Sequence, residues 1–389
     1  DRSKLYKEAK EIIDKFGLPI DPTELVGRLN VAYQQMVEIM KAYRRNSDII
    51  AFDEPTAPLT DSEISVLFKL IQKLKEEGKV IIYVSHRLAE IFEVSDDIVV
   101  LKDGKLVKVL KTAETDENEL IRLMVGRDIG DTYATLSRNE NIGDVLLEVK
   151  NLKTQYINNV SFDIRKGEIV GLAGLVGSGR TEVARALFGA DPVTGGEIIL
   201  DGKKVVFKSP RDAINYGVAL CPEDRKEQGL VMFRPIKDNV AMPVVDKLLR
   251  RIFVDRDELI NLAKKAVEKY SIKTPTIEKI VYELSGGNQQ KVILGRWTSE
   301  KVETKLLILD EPTKGIDVGT KREIYQTICD LAKQGIAVLF ISSELPEVIN
   351  LSDRIVVMRN GHVTGVLTRE EATEEKVLSL AMLEETRTA

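Results

Sequence analysis

Apolar residues fall into two rhythms along the chain. Short, nearly unbroken runs at Ile49 to Phe52, Val80 to Val84, Leu306 to Leu309 and Ala337 to Ile341 alternate with longer stretches at helical spacing. Continuous apolar runs of strand length suit parallel strands covered on both faces. Asp-Gly at Asp103 and Asp201 and Asn-Gly at Asn360 supply the positive φ angles of tight hairpins. The pattern therefore predicts an α/β fold with a parallel core sheet, helices against it, and a smaller antiparallel piece.

The pattern also repeats. Residues 53–104 align without a gap on 310–361 at a constant offset of 257. Upstream, LNVAYQQM (29–36) aligns with LSGGNQQK (284–291) at an offset of 255, which implies a two-residue insertion near Glu303. The stretch from Lys111 to Asp144 is polar and charged, with a helical section near Glu119 to Met124, and reads as a linker. The expected boundaries are 1–110 for the C-terminal part of a first copy, 111–144 for the linker and 145–389 for a complete second copy. Gly174 projected back by 255 falls at −81, so the counterpart of its segment is expected ahead of Asp1, in a chain truncated at its front.

Composition narrows the function classes. The 389 residues are 43% apolar and 31% charged, a globular balance. Lys plus Arg is 57 against 62 Asp plus Glu, a net charge of −5, so no overall basic field invites nucleic acid. The two cysteines, Cys221 and Cys329, form no disulfide framework, which fits a reducing compartment. No apolar run approaches the ~20 residues that span a bilayer.

The chemistry begins at GLAGLVGSGRTEVARALFG, 171–189. A strand over Ile169 to Leu172 precedes a helix over Thr181 to Leu187, closed by Gly189. Gly174, Gly177, Ser178, Gly179, Arg180, Thr181 and Glu182 thus span a strand-to-helix turn of the phosphate-binding pattern. Glycines let backbone N–H groups converge on phosphate oxygens, and the helix dipole favours the anion. Thr181 is placed to hold Mg²⁺ through its hydroxyl. Arg180 stands where the pattern requires Lys, and the planar guanidinium is no equivalent of a compact ammonium. An ordinary glycine-rich turn is the competing reading of this segment alone.

Asp310 and Glu311 end an apolar strand. Buried unpaired carboxylates are costly, so a metal for Asp310 and an attacking water for Glu311 would explain them. A solvated strand end is the plainer alternative. LSGGNQQK adds a third signal: Ser285 precedes Gly286, Gly287, Asn288, Gln289 and Gln290, a helix start whose amides stay bare for an anion.

Loop, glycine-rich helix start and acidic strand, in that order, make the chain resemble the nucleotide-binding subunits of ABC transporters over almost its whole length. GLVGSGRTE, CPEDRKEQGLV, LSGGNQQK, DEPTKGIDVGTK and SSELPEV are similar to monosaccharide importers of the ribose, galactose and xylose kind, which carry two fused nucleotide-binding domains. The resemblance implies a P-loop NTPase fold of ABC type, with an antiparallel β subdomain and a helical subdomain. It implies ATP and Mg²⁺ as cofactors, membrane permease subunits, a second nucleotide-binding domain and, indirectly, a sugar-binding protein as partners, and no nucleic acid. The expected location is the cytoplasmic face of the membrane.

It also implies two unequal ATP sites, each pairing one copy's loop and acids with the other copy's signature. One would use Gly174 to Thr181, Asp310 and Glu311 with Leu29 to Gln35, a degraded signature lacking both glycines. There Ser343 stands at the family's switch histidine and Glu223 at its Q-loop glutamine near the metal, so this site is expected to bind nucleotide and hydrolyse it poorly. The other would use Asp53 for the metal, Glu54 and His86 for catalysis, and Ser285 to Gly287. Tyr156 would either stack on adenine or pack on the small sheet. A nucleoside importer, a soluble ABC protein of translation or repair, and a nucleotide sensor with little turnover are the rival readings.

Overall fold

The computed structural model describes the chain apart from residues 1, 46, 57–58, 60, 86–87, 103–104, 117–118, 121–122, 124–132, 176, 251–252 and 383–389. It divides into two units, residues 1–129 and 130–389.

The second unit is built on a six-stranded sheet in the order Val218–Cys221, Leu306–Asp310, Ala337–Ile341, Ile169–Gly174, Arg354–Arg359, His362–Thr368. The first five run parallel and the last returns antiparallel as a hairpin. Every residue of Leu306–Asp310 and of Ala337–Ile341 is buried, as their unbroken apolar runs require. Alternate residues feed two cores. Leu307, Leu309, Val338 and Phe340 pack with helices that include Gly286–Trp297 and Val318–Lys333. Leu306, Ile308, Leu339 and Ile341 pack with the helix Arg180–Leu187 and a four-stranded antiparallel sheet of Val160–Arg165, Val145–Lys153, Gly195–Leu200 and Lys203–Val205. Three helices, Ile236–Ala241, Arg256–Lys269 and Gly286–Trp297, pack together as a helical layer.

The stretch expected as linker does not stay free of this unit. The Tyr133 ring stacks on Tyr325 with centroids 5.5 Å apart. Asn139 Nδ2 donates to the carbonyls of Gly167 at 2.8 Å and Ala332 at 3.3 Å. Its polar composition conceals this packing, because much of the attachment is by hydrogen bonds.

The first unit holds the parallel pair Ile49–Asp53 and Val80–Val84, the hairpin Asp97–Lys102 and Lys105–Lys111, and, among its described helices, Arg2–Phe16, Val31–Arg44, Asp61–Glu76 and Leu88–Val94. Its strands depart from the expectation of burial on both faces. Ile50 and Phe52 sit in a core with Leu67, Ile71 and Leu74. Ile49, Val80, Ile82 and Val84 are each at least half exposed. In the second unit the equivalent strand Ala337–Ile341 has a neighbour on each side and an antiparallel sheet over its second face. Among the described residues of the first unit, Val80–Val84 pairs with Ile49–Asp53 alone. No helix is long and apolar enough to cross a membrane, among the described residues.

Candidate functional site: a phosphate loop beside two strand-end carboxylates

Ile169–Gly174 lies between two parallel neighbours, so the loop that follows it leaves from the middle of the sheet. The helix starts at Arg180 with Gly179 at the N-cap, φ 100°, and no side chain caps its amides. Donors at such an end are free for an anion. A Cβ at Gly179 would lie 2.8 Å from Ile157 Cγ2, and one at Gly174 2.4 Å from the Met358 carbonyl oxygen. Both contacts demand glycine. Ser178 Oγ is buried with no hydrogen-bond partner. Gly177 and Glu182 belong to the same loop and first helical turn, and the intervening Val176 lies outside the described residues.

Arg180 is buried and its Nη1 donates to the Ser342 carbonyl at 2.7 Å. Its Nη2 stands 4.0 Å from Glu311 Oε1. The guanidinium is therefore anchored on the neighbouring strand end, with its second nitrogen toward Glu311.

Asp310 is 2% exposed, and its Oδ1 has no hydrogen-bond partner. Burial pushes its carboxyl up to about 7, against a hydrogen bond from Thr181 and with further upward pressure from Glu223 and Glu311. A half-neutral carboxyl with an orphaned oxygen beside a threonine hydroxyl fits a divalent cation. Among the described residues no cluster of three or more His, Cys, Asp or Glu forms an all-protein cage. Mg²⁺ takes one or two protein ligands and completes its shell with phosphates and water, so Thr181 and Asp310 suit it. Burial also raises the Glu311 carboxyl, opposed by hydrogen bonds from Ser343, whose Oγ donates to Oε2 at 3.2 Å. Glu223, expected at the metal, acts on the Asp310 carboxyl and also pairs with Lys314 Nζ at 2.7 Å.

The glycine-rich helix start departs from expectation in detail. Ser285 occupies the N-cap of Gly286–Trp297, yet its hydroxyl accepts from Asn288 Nδ2 at 2.9 Å and caps no backbone amide. Asn288 Oδ1 in turn accepts from the Lys273 amide at 2.8 Å. Gln289, expected to face nucleotide, is 4% exposed and donates to the carbonyls of Val281 and Leu284. Its counterpart Gln34 donates to Leu29 in the same way. This glutamine braces the helix from inside. A Cβ at Gly287 would meet Thr320 Cγ2 at 2.4 Å, so packing requires the glycine as well as any need for a bare amide. The Tyr156 side chain is 61% exposed.

In the first unit Asp53 ends its strand and Glu54 follows it. His86 lies outside the described residues. One feature shared by both units had no sequence signal. Glu54 and Glu311 both adopt left-handed backbone, φ 43° and 47°. Both amides donate to the last carbonyl of the next strand, Val84 at 2.8 Å and Ile341 at 2.9 Å. Such backbone costs a non-glycine residue ~1 kcal/mol or more and persists where the surroundings impose it.

Against known proteins, the ABC transporter family matches residues 157–314. The chain is 47% identical over 388 residues to the arabinose import ATP-binding protein AraG of Mannheimia succiniciproducens, covering 99% of this chain and 76% of that one. It is 49% identical over 385 residues to AraG of Pectobacterium atrosepticum, covering 98% and 75%. A protein of Agrobacterium fabrum, provisionally named for ribose, galactose and methyl galactoside import, is 44% identical over 383 residues, covering 98% and 74%. A nucleotide-free ATP-binding cassette of an ABC transporter superposes with a TM-score of 0.53 at 22% identity, covering 62% of this chain and all of that one, a likeness of fold.

Proposed function

The chain belongs to the ATP-binding proteins of ABC transporters, and from that premise we propose that it binds and hydrolyses ATP to energise import of a simple sugar through membrane permease subunits. The observation that carries the reading is the uncapped loop at Gly174 to Thr181 set beside the orphaned Asp310 oxygen. Sugar as cargo rests on three relatives that are each named for sugar import.

Mg²⁺, when bound, would neutralise charge on the phosphates, held by Thr181 and Asp310. The chain's own groups do the rest. Loop amides orient the triphosphate, and Glu311 or Glu54 polarises a water. The two acids are not equal. Arg180 is tied to the Ser342 carbonyl and lies near Glu311, and Ser343 replaces a histidine in reach of the same carboxylate. The loop of the second unit therefore binds nucleotide and turns it over slowly. Turnover in the transporter runs mainly through Glu54 and His86, with Asp53 for the metal. A phosphate loop to accompany Glu54 is not among these 389 residues, so the purified chain should bind MgATP and show little steady-state hydrolysis.

In the intact transporter, Glu54→Gln should abolish most ATP turnover, and unchanged turnover would refute this assignment. Deleting the gene should lower uptake of a labelled pentose or hexose and spare nucleosides. The reverse pattern would select nucleoside import.

A further inference from the structure

Behind each acidic strand end lies a buried carboxylate that the reaction as described does not use. In the second unit it is Glu347, 1% exposed. Thr313 Oγ1 donates to its two oxygens at 2.9 and 2.7 Å, Ser342 Oγ at 2.8 Å, Tyr325 OH at 2.5 Å and Lys321 Nζ at 2.9 Å. In the first unit it is Glu90, 5% exposed. Thr56 Oγ1 donates to it at 2.7 and 2.8 Å, Ser85 Oγ at 3.1 Å and Tyr83 OH at 2.9 Å. Thr56, Ser85 and Glu90 correspond to Thr313, Ser342 and Glu347 at the 257 offset.

The phenol does not correspond. Tyr325 lies on a helix and aligns with Phe68, while Tyr83 lies on a strand and aligns with Phe340. The two copies have exchanged Tyr and Phe, yet each delivers one phenol hydroxyl to the same carboxylate. Packing alone needs a ring at each position and is indifferent to which ring carries oxygen. A buried carboxylate is not, since each unmet acceptor there is costly.

The carboxylate joins two segments that the chemistry must hold together. Thr313 lies in the turn that the Lys314 amide closes on the Glu311 carbonyl. Ser342 offers its carbonyl to Arg180 and precedes Ser343, which donates to Glu311. Glu347 touches neither nucleotide loop nor acidic pair, and fixes both through these neighbours. We propose that Glu347, and Glu90 in the first unit, are positioning residues for nucleotide turnover: each locks the turn after the strand-end acids to the next strand's end, and in the second unit holds Arg180 on its perch for the terminal phosphate. This rests on the nucleotide site proposed above.

The test is titration of the whole 389-residue chain with MgATP and MgADP, alongside thermal unfolding. A loosened Arg180 perch weakens contact with the γ-phosphate, which ADP lacks. Glu347→Gln should weaken MgATP roughly tenfold and MgADP less than about twofold. Tyr325→Phe should weaken MgATP about threefold, and adding Phe340→Tyr, the first unit's arrangement, should restore it. Equal losses for both nucleotides, no loss, or a swap that restores nothing would reduce the cluster to an ordinary core staple and overturn the proposal. If Glu347→Gln does not fold, the two phenol variants decide alone. A wild-type chain that binds neither nucleotide overturns the site and this inference together, whereas normal wild-type binding with an unmoved ATP-to-ADP ratio overturns the inference only.

Discussion

Replacing Asp310 by Asn should stabilise the metal-free chain and abolish its response to Mg²⁺. Asp310 titrates near 3.8 in an unfolded chain and at about 7 here, chiefly through burial. Between those values the folded state holds a proton that the unfolded state has released, so stability falls as pH rises. At 1.36 kcal/mol per unit, full ionisation costs on the order of 4 kcal/mol by pH 8. Asn has nearly the same shape, keeps an oxygen for the Thr181 hydroxyl, and carries no charge to bury. In EDTA at pH 8 the variant should therefore outlast the wild type by up to ~4 kcal/mol, and at pH 4 the two should converge. Trp297, the single tryptophan and 6% exposed, gives the signal for urea unfolding. Added MgATP should stabilise the wild type strongly at pH 8 and the variant little, because a divalent cation rewards the charge that burial penalises. A variant no more stable than wild type at pH 8 without metal, or a gap independent of pH, would refute the view that Asp310 is held in readiness for a cation.

Two further substitutions probe the surroundings. Gly287→Ala places a methyl 2.4 Å from Thr320 Cγ2 and should cost about 1–3 kcal/mol by thermal unfolding, with partial recovery when Thr320→Ala is added. Tyr156→Ala removes a ring that is 61% exposed and should weaken MgATP about fivefold while leaving inorganic triphosphate binding unchanged, which a binding competition would read.

What the sequence reveals about this site is what depends on neighbours in the chain. The loop is legible because glycines, strand and helix are contiguous, and the acids because they end an apolar run. The repeat is legible as a register between two stretches of letters. Direction is harder to read. Gln289 and Asn288 are adjacent and both polar, yet one is turned into the protein against two carbonyls and the other lies at the surface. Ser285 has the right residue type for a cap and spends its hydroxyl on a side chain instead. The strands of the first unit read as buried on both faces, because hydrophobicity records what a strand is made to pack against rather than what lies on it.

The phenol exchange marks the limit of pairwise reading. At position 68 or 83 taken singly, Phe and Tyr are interchangeable core rings, and comparison with 325 and 340 shows only two conservative differences. They become one fact when the shared target is seen, since each unit brings a phenol hydroxyl to Glu90 or Glu347. The selected quantity is then a bond to a carboxylate, which no single residue type encodes, and which either of two positions can satisfy. Left-handed backbone at Glu54 and Glu311 follows the same logic: the bond to the neighbouring strand's last carbonyl holds it from outside the local sequence. Features imposed in that way survive exchange of their parts, and so they persist between two copies whose helix-start residues, LNVAYQQM and LSGGNQQK, have diverged.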